Sequence, residues 1–204
     1  MKTFFILMLF LFLSGCAAEK IEKQVIEPKG VEQMDLSNKK VLMVLAPEKF
    51  RDEEYFIPRQ VLEGYGIKVF TTSNKKEAVS IIEQKKVTVD VLLEDATTDY
   101  DAIIFVGGPG AAGYFNDQTA LDLAKDFYEE NKVVAAICIA PTILANAGIL
   151  EGKKATVWPS ESKNLKAKGA TYTSQPVIQD GRIITANGPD AAKDFAETIV
   201  KALK

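Results

Sequence analysis

The chain has 204 residues, 47% of them hydrophobic and 26% charged, with a formal net charge of −3 and no histidine. That balance describes one soluble globular domain with appendages, excludes a wholly disordered or collagen-like chain, and argues against nucleic acid as a partner. Without histidine the chain alone encodes neither Ser-His-Asp or Cys-His machinery nor a His-ligated zinc site.

Lys2 precedes an unbroken apolar run at residues 4–13. As a helix that run rises about 15 Å, half of a hydrocarbon core, so it is too short to span and reads as a secretory leader. Leu13-Ser14-Gly15-Cys16 behind it resembles a bacterial lipobox. The resemblance implies removal of residues 1–15, lipidation of Cys16 and an envelope protein anchored on the exported side of a membrane. Each buried CH₂ of such an anchor contributes about 0.8 kcal/mol. Cys138 is then the only free thiol of the mature chain, with no partner for an internal disulfide. Residues 16–38 mix charges with Pro28 and Gly30 and read as a flexible tether of about 25 Å reach.

From residue 39 short apolar runs alternate with amphipathic stretches, which sets the domain at 39–204. The run at 41–46 predicts a strand covered on both faces. A helix over 53–63 follows, with Pro58 inside it expected to remove a hydrogen bond or kink it. A strand is predicted at 67–71, and alternating runs at 78–82 and 87–92 predict a peripheral antiparallel pair. Residues 102–106 and 133–137 read as buried strands, separated by a helix over 117–131, and a helix over 141–147 follows at once. Beyond it come a strand at 155–157, a helix over 160–168 and a strand at 170–173. A hairpin over 177–185 turns at Asp180-Gly181, and Pro189 opens a closing helix that runs to 203. Buried strands interleaved with helices predict an α/β fold with a mainly parallel central sheet and helices on both faces. Ligands of such sheets bind at the carboxyl ends of the strands, which here selects the loops 47–53, 107–113 and 138–141.

Ala136-Ile137-Cys138-Ile139-Ala140, followed by Pro141, places small residues two before and two after a nucleophile at a strand-to-helix turn. That is the mechanics of a nucleophile elbow, and the amino end of the next helix favours a thiolate. The competing reading is a cysteine packed as a small hydrophobe. Gly108 to Gly113 spells G-x-G-x-x-G, but the next strand ends without a carboxylate and Pro109 lacks an amide, so a dinucleotide is not expected. A tight loop whose amides serve as an oxyanion hole fits better. Arg51, Asp52, Glu53 and Glu54 in the first loop read on pattern alone as a solvated first helical turn with favourable dipole placement.

Taken together, AICIAPTILANAGIL (136–150), FVGGPG (105–110), EEYFIPRQVLEGYGIKV (53–69) and ITANGPDAAKDFAETIV (184–200) make the whole domain resemble the DJ/PfpI superfamily. The resemblance implies a flavodoxin-like sandwich, usually a homodimer, with Cys138 as the reactive elbow residue. It also implies that Glu54, four residues before Pro58, is a protonated carboxyl on the cysteine sulfur, and that the amides of Gly108 and Ile139 form the oxyanion hole. A neutral carboxyl hydrogen-bonded to sulfur adds no like charge, so the thiol is expected below its ordinary range. Two departures matter. Protease-like members carry a histidine directly after the cysteine, where this chain has Ile139. Many deglycase-like members carry one in the stretch matching 155–159, where Trp158 stands. Cys-His peptidase chemistry is therefore not expected. What the resemblance implies instead is a cofactor-free, metal-free enzyme acting on small reactive carbonyls, with Trp158 beside the pocket. The alternatives are a stress sensor oxidised at Cys138 and a lipid-anchored binding module.

Overall fold

The computed structural model describes residues 36–204, so the expected leader, Cys16 and most of the tether lie outside the described residues. Folded structure begins slightly before residue 39. Leu36 is buried, and its amide donates to the Tyr65 carbonyl at 2.9 Å. An apolar side chain at the tether's end docks the chain onto the domain.

In chain order the elements are β1 (Lys40–Val44), β2 (Glu48–Phe50), α1 (Asp52–Gly64), β3 (Lys68–Ser73), β4 (Glu77–Ser80), β5 (Lys86–Thr88), β6 (Val91–Leu92) and β7 (Ala102–Phe105). They continue with α2 (Gln118–Glu129), β8 (Val133–Ile137), α3 (Pro141–Asn146), β9 (Lys154–Ala155), α4 (Ser162–Ala167), β10 (Thr171–Tyr172), β11 (Val177–Asp180), β12 (Ile183–Ala186) and α5 (Ala192–Ala202). The central sheet has seven strands in the order β11-β12-β8-β7-β1-β3-β6. Every neighbouring pair is parallel except β11 with β12, the hairpin closed at Asp180-Gly181. This is the predicted α/β architecture.

Alternation along β1 divides the interior into two layers. Leu42 and Val44 face a core with Phe105, Phe127 and Ile143, while Val41 and Met43 face one with Leu62, Phe195 and Ile199. The first layer is closed by α2 and α3, the second by α1 and α5. Asp117 caps α2 by accepting the Ala120 amide at 3.1 Å, which satisfies one of the helix's otherwise unpaired amides.

The sheet register positions the site. Val44 lies opposite Phe105, Phe105 opposite Ala136, and Ala136 opposite Thr185. The carboxyl ends of β1, β7, β8 and β12 therefore share one edge, and the loops after them open side by side.

Two local expectations are revised. The run at 87–92 is not one strand: β5 pairs antiparallel with β4 as expected, but β6 joins the central sheet beside β3. The loop 47–53 contains β2, which pairs with β4 and makes the peripheral pair a three-stranded sheet. As expected, Pro58 lies inside α1, which runs through it from Asp52 to Gly64. The amide it lacks is the one that would have bonded the Glu54 carbonyl.

Candidate active site

Cys138 follows β8 directly and takes a left-handed backbone conformation with φ of 63°. A side chain in that region is costly unless its surroundings enforce it. Here they do so from both sides. The Cys138 amide donates to the Ala186 carbonyl at 2.9 Å, and its own carbonyl accepts the Trp158 amide at 2.7 Å. The elbow expected from the small flanking residues is present, with Ala136 and Ala140 fully buried beneath it.

Glu54 reaches the same point from α1. Asp52 fixes the start of that helix: buried itself, its carboxylate accepts the amides of Ile82 at 2.8 Å and Glu83 at 3.1 Å. Glu54 is completely buried, and neither of its carboxyl oxygens has a hydrogen-bond partner. Between it and the cysteine lies Gly107. A Cβ on Gly107 would stand 2.3 Å from Glu54 Oε2 and 2.5 Å from Cys138 Cβ, so only glycine lets the acid and the thiol meet.

Gly108 follows with φ of 94°, close against the backbone of Lys49 and Arg51. Gly110 is tighter still, since a Cβ there would lie 1.8 Å from the Glu48 carbonyl. The glycines of this loop thus serve close backbone approach, and the loop continues as a 3₁₀ turn over Pro109–Tyr114. The amides of Gly108 and Ile139 lie beside the Cys138 sulfur and favour its thiolate. Arg51 sits at the rim, its guanidinium paired with Glu53 through bonds of 2.7 and 3.1 Å.

These residues line a cavity of about 430 Å³, to which Trp158 adds a large apolar wall. The cavity thus brings together Cys138, Glu54, Gly108, Ile139 and Trp158, each singled out from the sequence. Glu161 and Pro189 also line it and were not anticipated. Glu161 lay within a stretch read as helix, and Pro189 was read only as a helix start. The one available signal was Gly188-Pro189, within the segment that resembles the superfamily. Among the described residues no group of histidine, cysteine or acidic side chains converges as a metal site.

Electrostatics bind the acid and the thiol into one unit. Burial raises the Glu54 carboxyl to about 7, although the neighbouring Cys138 and the Arg51 guanidinium offset part of the rise. The Cys138 thiol is pushed up to about 12, first by burial and then by charge on Glu54, against the pull of the Gly108 and Ile139 amides. This reverses the expectation of a lowered thiol, because the sulfur is buried and shares its site with a second acid. When Glu54 is protonated the like-charge cause vanishes, and the two amides favour the thiolate. The pair therefore carries a single negative charge above neutrality and resists a second.

Alkylation of Cys138 by iodoacetamide should accordingly be slow near pH 7 and rise only at alkaline pH, since burial and charge on Glu54 both hold the thiol up. Glu54→Gln removes the charge that raises the thiol, so it should move that profile toward lower pH by about one unit or more. A profile centred on the ordinary thiol value and unmoved by the substitution would show that the two groups do not act together.

A sequence model of the DJ-1/PfpI family matches residues 39–202. An uncharacterized protein of Methanocaldococcus jannaschii is 43% identical over 90% of this chain and 92% of its own. The protein named deglycase PfpI from Pyrococcus furiosus is 27% identical over 80% of this chain and 99% of its own. Among solved structures, a ThiJ/PfpI domain protein from Brachyspira murdochii superposes with a TM-score of 0.78 at 33% identity, covering 80% of this chain and 95% of that one.

Proposed function

The chain belongs to the DJ-1/PfpI family, and from that premise we propose that it is a cofactor-free enzyme converting small 2-oxoaldehydes to 2-hydroxy acids through Cys138. The observation that carries this reading is the meeting of Cys138 and Glu54 across Gly107, under two amides, in a cavity. Some relatives are named deglycases, which supports carbonyl chemistry of the same kind.

The steps balance without an external oxidant. Sγ attacks the aldehyde carbon as Glu54 takes the thiol proton, and the carbonyl electron pair moves to oxygen beside the amides of Gly108 and Ile139. Glu54 then returns its proton to that oxygen, giving a hemithioacetal. Glu54 then carries the C1 proton to C2 while the hydroxyl proton passes from the C1 oxygen to the C2 oxygen, which oxidises the first carbon, reduces the second and leaves a thioester. Water hydrolyses the thioester, releasing the hydroxy acid and the thiol. A carboxyl with a pKa of about 7 is matched to this shuttle, since it both accepts and donates near neutral pH.

Lactate formation from methylglyoxal by the purified chain is the test. Cys138→Ser should abolish it, and Glu54→Gln should lower kcat about a hundredfold or more. Undiminished turnover in Cys138→Ser would refute the reading. A second reading is favoured by the same two amides, which would also hold the oxygens of a sulfinate. Peroxide-dependent mass gain at Cys138 without turnover would select that sensor role. The proposal includes lipidation of Cys16, an envelope location and a homodimer, supported by the lipobox-like segment and the family resemblance. Radiolabelled palmitate incorporation that is lost in Cys16→Ala tests the anchor.

A further inference from the structure

We propose that Trp158 is a specificity-determining residue, and that the site prefers 2-oxoaldehydes carrying an apolar alkyl or aryl group over the three-carbon compound. The proposal rests on the carbonyl chemistry proposed above and deepens it. Among the described residues only Ile82 and Trp158 are large hydrophobic side chains left exposed, and Trp158 retains 44% of its surface. An exposed indole beside a nucleophile is an uncovered apolar area that a ligand can cover.

The ring is held in place before anything binds. Its own amide is fixed to the Cys138 carbonyl, and its carbonyl accepts the Glu161 amide at 2.9 Å. The indole lies against Gly188, where a Cβ would stand 2.8 Å from both Cε3 and Cζ3. One side of the indole is therefore packed, while Trp158 also lines the cavity together with Pro109, Ile139 and Pro189. Indole, proline and isoleucine give a wall with few rotamers to lose, which lowers the entropic cost of binding.

Size points the same way. A three-carbon 2-oxoaldehyde has five heavy atoms and fills about 150 Å³ even at the roughly 30 Å³ that liquid water allots each molecule. The cavity measures about 430 Å³, so such a compound leaves most of it to water. A longer chain or a ring would displace that water from the apolar wall.

Turnover and binding test this separately. The ratio of kcat/KM for 2-oxooctanal to that for methylglyoxal should exceed one in the full chain. It should fall about three- to tenfold in Trp158→Ala and largely recover in Trp158→Phe. Should Trp158→Ala fail to fold, Gly188→Ala provides the second variant, displacing the ring while keeping it and lowering the same ratio. For binding, the chain's single tryptophan gives one indole N–H resonance. In Cys138→Ser, 4-phenyl-2-butanone, which cannot be turned over, should shift that resonance saturably, and acetone should not. Equal kcat/KM for the two aldehydes, a ratio unchanged in Trp158→Ala, or no shift with the phenyl ketone overturns the proposal. Turnover of neither aldehyde with a saturable shift would refute the carbonyl enzyme and leave the apolar subsite standing.

Discussion

Replacing Glu54 by glutamine is expected to make the protein, relative to wild type, about 3 kcal/mol more stable at pH 8 than at pH 4. The folded carboxyl titrates at about 7 and its ordinary value is 4.5. Each unit of difference corresponds to about 1.4 kcal/mol. Because the folded value is the higher one, the native state prefers the protonated acid. The stability associated with that proton is fully present below 4.5, falls as pH rises through 7, and is flat above. Glutamine is nearly isosteric, keeps a donor and an acceptor, and carries no charge, so it removes this dependence with little change in packing. Asp52 cannot mimic the effect. Burial raises its pKa, but the Ser80 hydroxyl and the amides of Ile82 and Glu83 more than reverse that, so its contribution is lost only in acid. Urea denaturation of both proteins at intervals from pH 4 to pH 8 gives the difference directly. A difference that does not change with pH would mean that Glu54 titrates in the folded protein at its ordinary value, and the shuttle would lose its basis.

The second large effect is steric. Gly107→Ala should destabilise the fold by about 3 kcal/mol or more, and should remove the shared titration of Glu54 and Cys138. The new methyl would stand 2.3 Å from Glu54 Oε2, 2.5 Å from Cys138 Cβ and 2.7 Å from the Ile137 carbonyl. The carboxylate can swing away, but a strand carbonyl in mid-sheet cannot. In a domain of this size that loss corresponds to a fall in Tm of about 6–12 °C, readable by calorimetry. Gly113→Ala is the control within the same loop, since nothing lies within 4 Å of its Cβ position. A Gly107→Ala protein as stable and as reactive as wild type would mean that the backbone there relaxes freely. The close approach of acid and thiol would then not be what demands glycine.

The buried strands were legible because a strand covered on both faces needs an apolar residue at every position, as residues 41–46, 102–106 and 133–137 show. The elbow was legible because small residues must flank a residue forced into a left-handed turn. Other features carry no such mark. β2 and β6 are short and exist through their neighbours, so the stretch 87–92 gave no hint that it divides between two sheets. The direction of the Cys138 shift was misjudged for a related reason. The helix terminus is local and visible in sequence, whereas burial and the second acid arrive from distant parts of the chain. Trp158 was placed at the pocket only through the family resemblance, and Gly188 beneath it only through the coordinates.

The clamp on Cys138 also sets an order of events during synthesis and folding. The carbonyl that holds its amide belongs to Ala186, in β12, the last strand in chain order among the described residues, which inserts between β8 and β11. Until that strand docks, the residues around Cys138 have no reason to adopt the strained turn, and the thiol is chemically ordinary. A ribosome-bound chain ending before β12 is therefore expected to carry a cysteine without special reactivity. Long-range closure of this kind comes late in folding. The reactive site thus requires β12 to have been made and docked, and before that there is nothing to inhibit, oxidise or misdirect.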